Sequence, residues 1–191
     1  MSKIALTPNS LGSGTFTIAS PNSDTDRVLT LPDEAGTVLT SASSISASQV
    51  TSNVPAFRAY KSASFTLNNL TSHTIPFDAE TLDTNGWYNT STYRFQPTVA
   101  GYYMIAYSVA ISDASATGII TSHLRNESGS TLLDGASGYY ESQRGFGVTT
   151  TSGLVYFNGS TNYAYVEALQ YTGGNRNMGN GFFSGFLVRA D

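Results

Sequence analysis

Carboxylates and histidines are the residues of this chain that could carry acid–base or metal chemistry. A glycosidase needs two carboxylates flanking a sugar bond, and the candidates are Asp134, Glu141 and Glu167. They fall on separate predicted strands or loops, with no spacing that brings two of them together. His73 and His123 each lack a second residue at metal-ligand spacing. The sequence therefore predicts no enzyme, no cofactor and no metal site, and it favours a Glu167 that pairs with an arginine.

Tyrosine, arginine and asparagine side chains on loops are better suited to binding than to catalysis, because they recognise glycans or proteins. The predicted receptor-binding residues come from loops near 140–145 and 172–181, and they are Tyr140, Arg144, Asn175, Arg176, Asn177 and Met178. Ordinary solvated turns are the alternative for both loops. Trp87, the single tryptophan, could stack on a sugar, but its place in an aromatic-rich stretch favours packing in the core.

Ten predicted strands position these loops. They lie near 56–62, 64–67, 74–77, 86–95, 101–111, 117–126, 131–140, 145–157, 162–171 and 182–190. Antiparallel strands reverse direction, so the loops near 112–116, 140–145 and 172–181 should meet at one end of the domain. Short strands at close spacing with turn signals between them predict an all-β fold, an antiparallel jelly-roll sandwich.

The longest strand-like run, from Gly101 to Ile111, has no charged residue on either face. Large apolar residues occupy every second position, which is the period of a strand. A strand without a strongly polar face is covered on both sides, so one face should meet the core and the other a second copy of the chain. The predicted contacts between copies are Phe57, Tyr60, Tyr102, Met104 and Phe186, each with a core position as the alternative.

Composition argues against several classes of protein. Only 12% of the 191 residues are charged, and the net charge is −4 without a Lys/Arg cluster, which argues against nucleic-acid binding. The absence of cysteine excludes disulfides and thiol catalysis. No apolar run is long enough to span a bilayer, and residues 1–10 show no secretory signal. We therefore expect a protein that does not insert into membranes and that is either made in a cytosol or a mature form without its signal.

Three parts follow one another along the chain. Residues 1–40 indicate a small β module with too few apolar residues for a core of its own, so it should attach to another protein. Residues 41–54 are Ser-rich and indicate a flexible linker or a short stalk. Residues 55–191 are aromatic-rich and carry the predicted jelly roll.

A pattern of aromatic, acidic and glycine residues runs through positions 77–107. Its members are Phe77, Asp83, Tyr88, Phe95, Gly101, Tyr103 and Tyr107. Together with the ending FFSGFLVRAD, this pattern resembles the globular head of complement component 1q, although Ile105 stands where that family usually has phenylalanine. The resemblance implies the jelly roll of the tumour necrosis factor superfamily and a tight homotrimer.

The first 40 residues contain a TLTLP-like strand, an acidic-Gly turn and a TVLT strand, an order that resembles a module of bacteriophage tail fibre proteins. The Gly-X-Y repeats that precede the head in animal members are absent from the sequence. We therefore expect a virion protein of the tail fibre or tail-tip class. Residues 1–40 would bind another virion protein, and a homotrimeric knob would bind a host surface glycan or protein. A head fibre or capsid-decorating protein, a secreted pattern-recognition ligand and a glycan depolymerase are the alternatives.

Overall fold

A computed structural model describes residues 10–15, 17, 19, 22–26, 28, 54–112, 117–135, 137–140 and 146–191. The chain divides into two units, residues 1–47 and 48–191. In the first unit the described residues are exposed, and the Thr25 N–H donates to Ser23 Oγ at 3.2 Å. Most of the predicted β module and of the Ser-rich segment lies outside the described residues, so both stay predictions.

Thirteen strands run through the described part of the second unit, four of them only two residues long. They are β1 (Ala56–Tyr60), β2 (Thr66–Leu67), β3 (His73–Thr74), β4 (Ala79–Asp83), β5 (Tyr88–Asn89), β6 (Arg94–Phe95), β7 (Ala100–Ser112), β8 (Gly118–Asn126), β9 (Thr131–Asp134), β10 (Gly138–Tyr140), β11 (Phe146–Asn158), β12 (Ala164–Tyr171) and β13 (Arg176–Ala190). No helix in the described part of the chain has the length and apolarity that crossing a membrane requires.

The strands form two antiparallel sheets. The first sheet has the order β11-β7-β13-β1-β4, and β2 pairs with β13. The second sheet has the order β10-β8-β12-β6-β5, with β3 beside β12 and β9 beside β8. Strands distant in sequence, such as β1 and β13, are neighbours in space, as the crossing connections of a jelly roll require. The predicted all-β jelly-roll sandwich is confirmed.

Aromatic side chains fill the space between the two sheets. The inward positions of β7 have no solvent exposure, which confirms that this face of the long strand meets the core; they are Tyr103, Ile105, Tyr107, Val109 and Ile111. Phe57 of the first sheet stacks on Phe95 of the second, with ring centroids 4.1 Å apart. Such aromatic pairs each contribute about 0.5–1.5 kcal/mol beyond the area that they bury.

The predicted strands differ from the observed ones in four places, one of which is the division of the predicted strand 131–140 into β9 and β10. β4 was not expected, because its sequence AETLD is largely polar and exposed. The segment 86–95 is divided into β5 and β6 by a turn in which Tyr93 has a φ of 61°. β13 begins at Arg176 rather than near 182, so the long predicted loop at 172–181 is shorter than expected.

Candidate functional site

The outer surface of the first sheet carries a cluster of exposed apolar side chains. Met104 of β7 lies opposite Leu154 of β11 on one side and Phe186 of β13 on the other. Tyr102 lies opposite Tyr156, and their ring centroids are 5.3 Å apart. The exposed fractions are 48% for Tyr102, 55% for Leu154, 43% for Tyr156 and 48% for Phe186. We call these five residues the apolar face.

One edge of the apolar face meets the end of the chain. The Tyr156 hydroxyl donates a hydrogen bond to Asp191 Oδ2 at 3.1 Å. This hydrogen bond to a carboxylate raises the pKa of Tyr156, and the charge of Asp191 adds to the effect. A carboxylate therefore lies at this edge of the apolar face, beside the hydroxyl of Tyr156.

Four of the five predicted interface residues point away from the core of the subunit. Tyr102, Met104 and Phe186 belong to the apolar face. Tyr60 lies on the same side of the first sheet and is partly buried. Their contact with another copy of the chain stays a prediction.

Phe57, the fifth predicted interface residue, requires a correction. It is 2% exposed and belongs to the aromatic core, so it cannot contact a neighbouring subunit. Side chains alternate between the two faces of a strand. Phe57 and Tyr60 are three positions apart in β1, and for that reason only one of them can face outward.

The predicted recognition loops adjoin strands that end together at one end of the sandwich. Ser112, the last residue of β7, pairs with Phe146, the first residue of β11. In the second sheet Gly118 pairs with Tyr140 in the same way. Residues 113–116 and 141–145 lie outside the described residues, and so do Arg144 and the side chain of Tyr140. Receptor binding by these two residues stays a prediction.

The third loop at this end follows β12 and is held by a buried glutamine. Gln170 Nε2 donates to the carbonyl oxygens of Leu67 at 3.1 Å and Gly174 at 2.8 Å. Gln170 Oε1 accepts from the Thr172 N–H at 2.9 Å and the Thr172 hydroxyl at 2.6 Å. Arg176 Nε donates to the same hydroxyl oxygen at 2.9 Å. This network orders the loop before any ligand arrives, which reduces the entropy cost of binding.

The binding residues predicted for this loop also have partners inside the subunit, and Arg176 and Asn177 belong to β13 rather than to the loop. Asn175 Oδ1 accepts from the Asn69 N–H, and Asn177 Oδ1 accepts from the Thr66 hydroxyl, each at 3.1 Å. Both asparagines are exposed, and Arg176 is partly buried. Their contact with a receptor stays a prediction.

Met178 requires the second correction. It is 3% exposed, because β13 already includes this position and turns its side chain into the core. Met178 pairs with Ile111 of β7 rather than standing on a loop. A buried methionine cannot contact a receptor directly.

Two of the three carboxylates considered for catalysis have other partners. Glu167 Oε1 accepts from Arg125 Nη2 at 2.9 Å, so the expected pairing with an arginine is confirmed. Asp134 lies 3.0 Å from His123 Nδ1. Glu141 lies outside the described residues. Within the described ranges, no group of three His, Cys, Asp or Glu side chains could hold a metal ion.

A cavity at the free edge of the second sheet was not predicted. It has a volume of about 440 Å³ and lies beside β5 and β6, and its lining includes Trp87, Asn89, Thr92, Arg94, Gln96 and Ser160. The sequence signal is a set of polar residues next to inward-facing Tyr88 and Phe95. The approach of Ser160, from the loop after β11, depends on the tertiary fold and leaves no sequence signal.

Comparison with known proteins gives one matching family and several structures with a similar fold. The C1q domain family matches residues 56–188. The globular domain of the zebrafish complement 1qA protein is 14% identical, with 72% of this chain and 99% of that chain covered and a TM-score of 0.53. Crystal structures of murine APRIL at pH 5.0 and pH 8.0 are 8% and 6% identical, with 71% of this chain and 100% of that chain covered and TM-scores of 0.52 and 0.51. At these identities the structural likeness concerns the fold alone. No curated protein matches the sequence.

Proposed function

This chain belongs to the C1q domain family through residues 56–188, and we propose that three copies assemble through the apolar face into a homotrimeric adhesion knob. Domains of this family are homotrimers and generally serve as binding modules without enzymatic activity. The observation that carries the proposal is the exposure of Leu154 and Phe186 on both sides of Met104. Contiguous apolar surface of this kind marks an interaction site.

Small side chains extend the apolar face along the first sheet. Ala106 of β7 lies between Ser152 of β11 and Ser184 of β13. Small residues let the surface of a second subunit approach the backbone closely, and they favour a tightly packed interface. Burial of the neighbouring apolar side chains would supply the free energy of association, at about 25 cal/mol per Å² removed from water.

The second part of the proposal concerns the larger assembly to which this knob belongs. We infer a bacteriophage virion protein of the tail fibre or tail-tip class, made in the host cytoplasm, whose residues 1–40 attach to another virion protein. The resemblance of those residues to a tail fibre module supports this role. The knob would then meet a glycan or protein on the host surface, where three weak contacts combine through avidity.

A soluble ligand of the C1q type is the second candidate function. The family match is compatible with it, because that match concerns the domain alone. A head fibre with the same architecture differs from a tail fibre only in its position. Localisation on the particle separates these three possibilities.

Two measurements test the proposal. Light scattering of the full-length chain should give three times its mass of 20.3 kDa, and a stable species of single-chain mass would refute the trimer. Gold-labelled antibodies against residues 55–191 should decorate one end of phage particles produced from the encoding genome. Label on the capsid would favour the head fibre, and label in the medium alone would favour the soluble ligand.

A further inference from the structure

The cavity beside Trp87 combines an aromatic wall with hydrogen-bonding side chains. Trp87 is partly buried and packs edge-on against Tyr103, with ring centroids 6.4 Å apart. Trp87 also lines the cavity, so the core fixes a residue that a ligand could touch. The face of an aromatic ring carries partial negative charge and attracts the polarised C–H bonds on the flat side of a sugar.

Amide and hydroxyl side chains also line the cavity, and the fold holds two of the amides in place. Gln96 Nε2 donates to the Ser160 carbonyl oxygen at 3.0 Å, which links β6 to the loop after β11. Asn89 Oδ1 accepts from the N–H groups of Ser91 and Thr92, both at 2.9 Å, which fixes the turn between β5 and β6. An amide side chain has two donor hydrogens and two acceptor lone pairs, so these bonds use only part of its capacity. Such groups suit the vicinal hydroxyls of a saccharide.

Arg94 is the single charged residue among those that line the cavity. Its guanidinium carbon lies over the Tyr163 ring, 4.2 Å from the ring centre, in a cation–π contact. A guanidinium has five N–H donors in a planar fork that matches a carboxylate bidentately. The cavity is therefore locally cationic in a chain of net charge −4.

We propose that this cavity binds a sugar unit that carries a carboxylate, with Trp87 against the ring, the amides on its hydroxyls and Arg94 on its carboxylate. The assignment rests on the proposed adhesive function and names its ligand class. A volume of about 440 Å³ lies in the range of about 300–1,000 Å³ that is usual for small-ligand sites. Uronic acids and sialic acids share the required chemistry.

The proposed sugar site does not compete with assembly. It lies on the second sheet at the free edge formed by β5, whereas the apolar face belongs to the first sheet. Every subunit of a trimer would carry its own site. Single sites could then be weak, because multivalent contact with a polysaccharide raises the overall affinity.

The single tryptophan makes the site directly observable. The full-length protein is titrated with methyl glucuronide and with methyl glucoside, which differ by the carboxylate, while the indole fluorescence is recorded. We expect a saturable change with the glucuronide and binding at least about tenfold weaker with the glucoside. Sialyllactose and lactose form a second matched pair that distinguishes a sialic acid site from a uronic acid site. An indole signal that responds to neither acidic sugar would overturn the proposal.

Two variants assign the charge to Arg94. Arg94→Gln should abolish the preference for the acidic sugar of each pair. Arg58→Gln is the matched control, because Arg58 also lies over an aromatic ring, that of Phe182 at 5.5 Å, but on the first sheet. This control should bind as the unaltered protein does. Retention of the preference for the acidic sugar in Arg94→Gln would refute the role of Arg94. A trimer that binds no sugar would refute the sugar site but would leave the assembly proposal standing.

Discussion

The hydroxyl of Tyr88 donates a hydrogen bond to the carbonyl oxygen of Phe77 at 2.8 Å inside the core. Asp83 lies between them in sequence, and its Oδ2 accepts from the Tyr88 N–H at 2.8 Å. Three positions of the aromatic pattern that indicated the family are thus joined by direct contacts. Their spacing follows from the geometry that connects β4 to β5.

Replacement of Tyr88 by phenylalanine tests this contact. Tyr88→Phe keeps the ring but leaves the buried Phe77 carbonyl without its donor, so we expect a loss of about 1–3 kcal/mol in the free energy of unfolding. Urea denaturation at fixed protein concentration measures it. Tyr171→Phe is the control, because Tyr171 is 47% exposed on the second sheet, and its loss should be much smaller. Equal losses in the two variants would contradict the argument.

Buried tyrosines should also make the protein sensitive to alkali. Burial raises the pKa of Tyr103 to about 12, and it raises the pKa values of Tyr88 and Tyr107 as well. Tyrosine in the unfolded chain ionises near pH 10, at about its model-peptide value. The contribution of these groups to stability is therefore complete below about pH 10 and is lost as the pH rises through their folded-state values.

The measurement is the free energy of unfolding as a function of pH at a fixed protein concentration. We expect a plateau up to about pH 10 and a decline above it. Tyr103→Phe removes one titrating group and should make the decline shallower. A stability that stays constant to about pH 12 would show that these tyrosines do not control it.

Gly101 explains another position of the pattern. A Cβ atom at this residue would lie 2.3 Å from the Arg189 carbonyl oxygen, where β13 changes register against β7. Gly101→Ala should therefore force the two strands apart and cost about 1–3 kcal/mol or more. Gly129 has a φ of 77° but no atom within 4 Å of its Cβ position, so Gly129→Ala should lose only the cost of a left-handed backbone, about 1–2 kcal/mol. Thermal unfolding of both variants provides the comparison.

The jelly roll was predictable because its signals are local. Alternation along β7 identified the inward residues, and turn residues such as Asn158 and Gly159 marked the ends of strands. The pattern from Phe77 to Tyr107 added the family. Each of these signals depends on neighbours in sequence, or on a spacing that the fold keeps constant.

The site was less predictable because it depends on which face of a strand each side chain occupies and on contacts between distant segments. Phe57 is a large apolar residue in a strand of the first sheet, but the alternation of side chains along β1 places it in the core. Met178 follows a Gly/Asn-rich segment, and its strand becomes evident only through pairing with β7. The cavity beside Trp87 needs Ser160 from a distant loop. No spacing in the sequence indicates that Ser160 and Trp87 line the same cavity.

Gln170 should control the order of the loop after β12. Gln170→Leu keeps a side chain of similar size but removes the amide that contacts Leu67, Thr172 and Gly174. Because buried polar groups then lose their partners, we expect a loss of about 2–3 kcal/mol in stability. The amides of residues 172–174 should exchange faster with deuterium. Gln96→Leu is the control, because this amide is at the surface, and deuterium exchange of residues 172–174 should be unchanged in it. Exchange as slow as in the unaltered protein in both variants would refute the role of Gln170.

The apolar face can be tested by a charge placed within it. Phe186→Arg puts a cation beside Met104, where the proposed interface would have to bury it without a partner, so association should weaken by at least about tenfold. Tyr171→Arg is a matched control, because Tyr171 is 47% exposed and Phe186 is 48% exposed, but Tyr171 belongs to the second sheet. Sedimentation over a concentration series should show Phe186→Arg dissociating while Tyr171→Arg remains a trimer. Dissociation in the control alone would move the interface to the second sheet.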